Sequence, residues 1–393
     1  MKRIGVIGYG ARIRSMLETI DRFGTDATVV AVVDPAEMSL KVRFPEQLAD
    51  VAFFSDVDRM LDTADLDGVI IGTSCLFHTP YAIKVLATGL PLFLEKPVAI
   101  DESQLFELHT AALASKSQSV VSFPLRLSEL CLMVQEVVQS GVIGTVEHVQ
   151  AANNVPFYGS NYFHGWMRDD TLTGGLWLQK ATHDLDYLTF LVGQVPAQIV
   201  AVESKTVFTG SMRAGLHCLD CPVQRECPES QYNLFAMQGI LDDMRHAAEF
   251  WDGRWQCSFA VDTGNHDAAT AILQYENGSH LTYSQVFYTR RSAAKRGATL
   301  TGYKGTVSFD WYTGEVVVTH HHTSRVERMT IDVAGGHFGG DERLAEDFLA
   351  ILYGTGPSRS TIEDGILSAQ LCLMAKKSCE TRTFVPYEPL SVI

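Results

Sequence analysis

The first 124 residues alternate short apolar runs with stretches of helical spacing, and this alternation constrains the fold more than any other feature. The runs are IGVIG (4–8), TVVAVVDP (28–35), DGVIIGTS (67–74), PLFLEKP (91–97) and QSVVSFP (118–124). Between them lie ARIRSMLETIDRF, HTPYAIKVLATG and DESQLFELHTAALASKS, with FPEQLAD and SDVDRMLD as shorter helical pieces. A run that is apolar throughout, rather than at every second residue, belongs to a strand buried on both faces. Such strands separated by helices predict a doubly wound parallel sheet, an α/β Rossmann-type domain spanning residues 1–124.

From residue 125 the pattern changes. After the helical LSELCLMVQEVVQSG, the segments TVEHVQAAN, AQIVAVESKTVF, DAATAILQYENGSHLTYSQVFY, RGATLTGYKGTVSFDW and GEVVVTHHH alternate with period two. Turn signals at ENGS and WYTGE separate them. DERLAEDFLAILYG and IEDGILSAQLCLMAKKSCE close the chain as helices. Residues 125–393 are expected to form a second α/β domain with a large open, mostly antiparallel sheet, interrupted by an insertion at about 205–257.

Lys plus Arg number 31 against 46 Asp plus Glu, a formal net charge of −15. That balance disfavours a nucleic-acid backbone or an anionic membrane as partner. No apolar stretch reaches the roughly 18 residues of a membrane span, and MKRIGVIGYG enters a strand without a leader-like apolar core. A cytoplasmic location is expected.

Gly8-Tyr9-Gly10-Ala11-Arg12 follows the first strand and opens a helix. Glycines there permit a tight turn and close approach of a pyrophosphate to the helix N-terminus. The fingerprint's third glycine is replaced by Ile13. Asp34 ends the second run, where a carboxylate accepts the ribose hydroxyls of NAD and repels a 2′-phosphate. NADP stays open, because Arg12 or Lys41 could meet that phosphate. Thr73, His78 and Glu95 follow the ends of later strands, where such a sheet presents residues to its cofactor.

LFLEKP (92–97), the glycine fingerprint and THDLD (182–186), with GTSCLFHTPYAIKVLATG, GVIGTVEHV and TGYKGTVSFD, make nearly the whole chain resemble the GFO/IDH/MocA oxidoreductases. The resemblance implies a Rossmann domain joined to an open-sheet α/β domain, with the active site between them and subunits paired as a homodimer or homotetramer. It implies that Lys96 touches the nicotinamide ribose and the substrate hydroxyl, and that His183 is the general base. The aspartate expected four residues before that histidine is replaced by Gln179, followed by Lys180.

On a helix over 174–186, residues three and four apart share a face, so Gln179, Lys180, His183 and Asp186 or Tyr187 form one polar stripe. A neutral imidazole can take a hydroxyl proton as hydride leaves. Lys180 and Lys96 would favour that neutral form and stabilise an alkoxide. Gln179, Asp184, Arg126 and Tyr158 are the candidate substrate contacts, with Asn161, Tyr162 and His164 beside them as groups that could bond a sugar. His337 in GGHFGGDE either enters the site or belongs to a structural loop, and Asp341 is a candidate helix cap. His320, His321 and His322 read as a solvated hairpin.

Cys218, Cys221 and Cys227, with Cys257 preferred over His217 as fourth ligand, read either as a structural zinc site or as free thiols. The expected activity is hydride transfer between a sugar or polyol carbon and NAD. Two alternatives stand beside it: an NAD-dependent glycosidase using transient oxidation, and a non-catalytic NAD-sensing regulator.

Overall fold

A computed structural model describes residues 1–238 and 255–391, without the side chains of residues 157, 158 and 235–238. The N-terminal apolar runs form β1 (Lys2–Ile7), β2 (Ala27–Val33), β4 (Gly68–Ile71), β5 (Leu92–Leu94) and β6 (Ser119–Val121), with a two-residue β3 (Ala52–Phe53) between the second and third runs. All pair in parallel, in the order β3-β2-β1-β4-β5-β6. Val69, Ile70, Ile71, Phe93, Leu94, Val120 and Val121 are fully buried, as continuous apolar runs require.

The second sheet has the order β14-β13-β12-β11-β7-β10-β9-β8-β15. Its strands are β7 (Val146–Asn154), β8 (Gln198–Ser204), β9 (Ala268–Gln274), β10 (His280–Val286), β11 (Lys295–Gly302), β12 (Gly305–Asp310), β13 (Glu315–His320), β14 (Val326–Thr330) and β15 (Val385–Pro386). Neighbours are antiparallel except β7 and β10. Period-two alternation places Val149, Ala151, Leu281, Tyr283, Ala298 and Leu300 in the core and leaves the opposite face, with Val202, Thr270 and Ile272, exposed.

Helix Gly340–Tyr353 comes late in the chain yet covers the Rossmann sheet. Phe348 meets Phe93 edge-on at 5.8 Å, and a Cβ at Gly68 would stand 2.6 Å from Leu352. A parallel sheet must be covered on both faces, and this returning helix packs beside Ala11–Asp21 to complete one of them. The N-terminal fold therefore depends on the far end of the chain.

Helix Thr182–Val192 lies between the lobes, and its Leu185, Tyr187, Leu188 and Leu191 share the main core with β7, β10, β11 and helix Ile362–Thr381. Among the described residues, no helix is long and apolar enough to cross a membrane.

Candidate active site

The glycine turn is built as the fingerprint requires. Gly8 has φ +85°, and a Cβ there would fall 2.8 Å from the Thr73 amide nitrogen. The missing third glycine has a compensating partner on the sheet. Ile13 packs directly over Gly72, where a Cβ would lie 2.0 Å from the isoleucine side chain. Close helix–strand approach is thus kept by a glycine on the strand end instead of the helix.

Helix Ala11–Asp21 begins at Gly10 with no side-chain cap and no acidic residue in its first turn. Its leading amides suit a pyrophosphate. Asp34 accepts hydrogen bonds from the Tyr9 amide at 2.8 Å and the Ala36 amide at 2.8 Å, which holds its carboxylate beside the glycine turn. The residues present therefore fit a dinucleotide.

Arg12 points elsewhere. Its guanidinium donates to Glu95 at 2.9 Å, to both oxygens of Asp341 at 2.8 Å and to Ser122 at 3.1 Å. This clamps the glycine turn to β5 and to the returning helix. Arg12 cannot also meet a 2′-phosphate without breaking these bonds, and Lys41 pairs with Glu37. His78 is likewise corrected as a direct cofactor contact. Its ring is buried, with Nδ1 2.7 Å from the Pro97 carbonyl and Nε2 3.1 Å from the Thr73 carbonyl; burial favours the neutral ring, which donates to one of these carbonyls and packs between the two turns.

The two lobes meet at Lys96. Its Nζ donates to the backbone carbonyl of Gln179 at 2.7 Å. Residues 177–181 form a single π turn before helix Thr182–Val192, preceded by Gly174 and Gly175 with φ +77° and +88°. Such turns recur at functional sites. The uniform helix expected from residue 174 is therefore broken.

His183 is 5% exposed, edge-on to Phe123 with ring centroids 6.1 Å apart, and its Nδ1 has no hydrogen-bond partner. Burial holds its pKa well below the ordinary histidine value, with Lys96, Arg296, His337 and Lys180 adding to the effect. The ring is kept neutral at the working pH of most enzymes. Lys180 is buried with its Nζ 5.5 Å from the Tyr162 ring. Burial, Arg296 and Lys96 lower its pKa well below the usual lysine value, while Asp184 opposes them.

Two family models cover this architecture. The NAD-binding Rossmann fold of the GFO/IDH/MocA oxidoreductase family matches residues 2–123, and the C-terminal alpha/beta domain of the same family matches residues 135–388. The chain belongs to the GFO/IDH/MocA oxidoreductase family. YteT of Bacillus subtilis (strain 168) is 26% identical over 88% of each chain. Inositol 2-dehydrogenase of Ralstonia nicotianae is 29% identical over 50% of this chain and 57% of its own. Among solved structures, levoglucosan dehydrogenase with NADH and levoglucosan has TM-score 0.76 at 15% identity, covering 98% of this chain and 99% of its own. The WlbA dehydrogenase of Bordetella pertussis with NADH and UDP-GlcNAcA has TM-score 0.69 at 18% identity, again over 98% and 99%. At such identities the structures establish the fold alone.

In this GFO/IDH/MocA chain the predicted polar stripe divides among three surroundings. Asp184, proposed from the sequence as a substrate contact, is fully buried. It accepts from Asn153 at 2.7 Å, the Tyr283 hydroxyl at 2.8 Å and Arg296 Nε at 2.8 Å. Asn153 stands in register with both Gln285 and Arg296, so three neighbouring strands converge on this carboxylate. Arg126, also expected to bind substrate, is engaged by both oxygens of Asp186 and by Asp364 at 2.8 Å. Asp184–Arg296 and Arg126–Asp186 are buried ion pairs whose two charges are in direct hydrogen-bond contact.

Gln179 stays at the meeting point of the lobes, with its side-chain oxygen buried and without a hydrogen-bond partner. Tyr158's side chain lies outside the described residues. His164 is buried against Trp255 with centroids 4.5 Å apart and bonds the Gln256 carbonyl, so it packs the insertion instead of facing a ligand. The histidine hairpin is occupied locally: His320 pairs with Glu327, and His321 bonds Thr306.

Arg296 is the site residue that the sequence reading missed. It lies on β11, far along the chain, and adds a buried cation felt by Lys96, Lys180 and His183. Its place in an alternating strand marks it as inward-facing, but nothing local says what it faces.

The cysteine cluster requires a correction. Cys218, Cys221, Cys227 and Cys257 do line one tight cavity beside Glu229. Yet among the described residues no three His, Cys, Asp or Glu side chains are placed to hold a metal ion. All four cysteines are free thiols. Burial pushes the Cys218 thiol up to about 11 and raises Cys227 and Cys257. Cys221 and Cys257 instead pack with Leu216 and Ala260 as a small apolar cluster.

Proposed function

We propose that the chain is an NAD-dependent dehydrogenase that oxidises a secondary alcohol of a sugar or cyclic polyol. The observation carrying this reading is the meeting of Lys96, at the end of a Rossmann strand, with the helix that bears His183. The inositol dehydrogenases among the sequence relatives, and the levoglucosan and nucleotide-sugar complexes among the structural neighbours, support the substrate class.

Asp34 and the amides after Gly10 would hold NAD, and the engagement of Arg12 and Lys41 favours NAD over NADP. Bound NAD supplies the hydride acceptor. Neutral His183 takes the hydroxyl proton as the hydride leaves. Lys96 and Arg296, close enough to act on His183, would stabilise charge developing on the substrate oxygen, and Lys180, whose pKa burial lowers, would donate a hydrogen bond there. The Gln179 amide can hydrogen-bond a hydroxyl but cannot hold a proton, so His183 carries the base role alone.

The test is NADH formation by the purified protein with NAD+ and a panel containing myo-inositol, levoglucosan and uronic acids. A ketone product should appear in equal amount. Glycosidic cleavage without accumulated NADH would replace this reading with the transient-oxidation glycosidase. A cofactor-loaded protein inert to the whole panel, yet binding a partner protein only with NAD, would replace it with the regulator. We also infer that the exposed sheet face bearing Val202 and Ile272 pairs with a second copy, which light scattering of the Val202→Glu variant tests.

A further inference from the structure

We propose that His337, oriented by Asp341, is the proton relay that carries the proton from buried His183 to solvent. The proposal rests on the dehydrogenase reading, in which His183 gains a proton at each turnover and must lose it.

His183 has little exposure of its own. The charged groups acting on it are Lys96, Lys180, Arg296 and His337. Lys180 and Arg296 are buried and Lys96 is only partly exposed, whereas His337 is an exposed residue: its ring centroid lies 5.9 Å from that of His183, and its side chain is 37% exposed.

The His337 ring is also held in one tautomer. Its Nδ1 donates to Asp341 at 3.0 Å, which leaves Nε2 with the free lone pair. Both Asp341 oxygens are gripped by Arg12, so the carboxylate cannot swing away. Asp341 was expected to cap the helix; Gly339 occupies the cap, and Asp341 lies in the first turn, facing His337 and Arg12. The surrounding glycines make this possible. A Cβ at Gly336 would stand 2.4 Å from Asp341 Oδ2, and one at Gly340 would stand 2.0 Å from the Pro124 carbonyl oxygen.

His337 and Phe338 have φ +46° and +59°. Two successive non-glycine residues in the left-handed region are strained, and such strain gathers at working sites. A loop needed only to join β14 to the next helix could avoid it. The charged and titratable groups acting on His337 are Asp341 on the returning helix, Arg12 beside the glycine turn, Arg296 on β11 and His183 itself.

The step balances simply. Protonated His183 gives its proton to His337 Nε2, directly or through one water, and the His337 imidazolium releases it to bulk water. Both rings return to neutral.

The test uses His337→Asn, Asp341→Asn and Asp341→Glu in the full chain. In His337→Asn, kcat for NADH formation should fall about 10²-fold with KM unchanged, and added imidazole should restore it. Asp341→Asn should shift the acid limb of the kcat profile, and Asp341→Glu should recover it. A second arm needs no substrate: ring-proton NMR titration of the NAD-bound protein should show the His183 titration displaced upward in His337→Asn. An unchanged His183 titration, or lost activity that imidazole does not rescue, overturns the relay. Absence of NADH from wild-type protein with every polyol, alongside a displaced titration, rejects the substrate reading while keeping the pair.

Discussion

Lys96 Nζ lies 2.7 Å from the carbonyl oxygen of Gln179, joining the end of β5 to the π turn that introduces the His183 helix. One ammonium thus bridges the lobes and contributes the largest charge effect on the His183 ring. Lys96→Met should leave the fold and NAD binding in place while NADH formation falls by about 10²-fold or more. Parallel turnover assays and NAD titrations check this. Equal loss of cofactor binding would assign Lys96 to binding alone.

The buried histidine rings should lower stability as the solution is acidified, against the opposite effect of Asp186, whose pKa burial raises to about 7. Burial lowers the pKa of His183 well below its ordinary value, lowers His78, and takes His164 down to about 4. In the unfolded chain these rings protonate near pH 6.5. Below that pH the unfolded state binds more protons, so stability drops as pH falls from about 6.5 toward the folded pKa values. His164 alone contributes roughly 3 kcal/mol across that window, at about 1.4 kcal/mol per pKa unit. The urea midpoint of wild type should fall relative to that of a His164→Asn variant between pH 7 and pH 5, a comparison in which the Asp186 effect cancels; parallel pH profiles would contradict the burial of this ring.

Asp184→Asn should be damaging because its carboxylate anchors Asn153, Tyr283 and Arg296. It would leave the buried Arg296 guanidinium without its charge partner, at about 3–5 kcal/mol. Denaturant unfolding checks the loss. A variant as stable as wild type would show that Asn153 and Tyr283 suffice to anchor this helix.

Asp34→Ser should change cofactor preference. Removing the carboxylate beside the glycine turn ends its repulsion of a 2′-phosphate, and NADP affinity should rise about tenfold relative to NAD, or about 1.4 kcal/mol. Competitive binding of the two cofactors measures the ratio. No change would mean that the clamp of Arg12 by Glu95 and Asp341, instead of Asp34, sets the preference.

The sequence by itself determined both sheets and the glycine turn with Asp34, because each is written in local periodicity or in short spacings, whereas the nearness of Lys96 to the His183 helix was implied only by the family resemblance. Continuous apolar runs mark strands covered on two faces, and period-two runs mark strands covered on one. Only the tertiary structure decided how the polar residues of the His183 helix are divided. That helix is buried on every side, so it has no solvent face against which a polar stripe could be read. Asp184 faces β7, β10 and β11, Asp186 faces Arg126, and Lys180 and His183 are buried within reach of the charges of Lys96 and Arg296. Contacts such as Arg12 with Asp341, Arg296 with Asp184 and Phe93 with Phe348 join distant parts of the chain. Distant contacts of this kind leave no periodic trace in the chain, because their partners are chosen by the packing of whole layers and not by neighbouring residues.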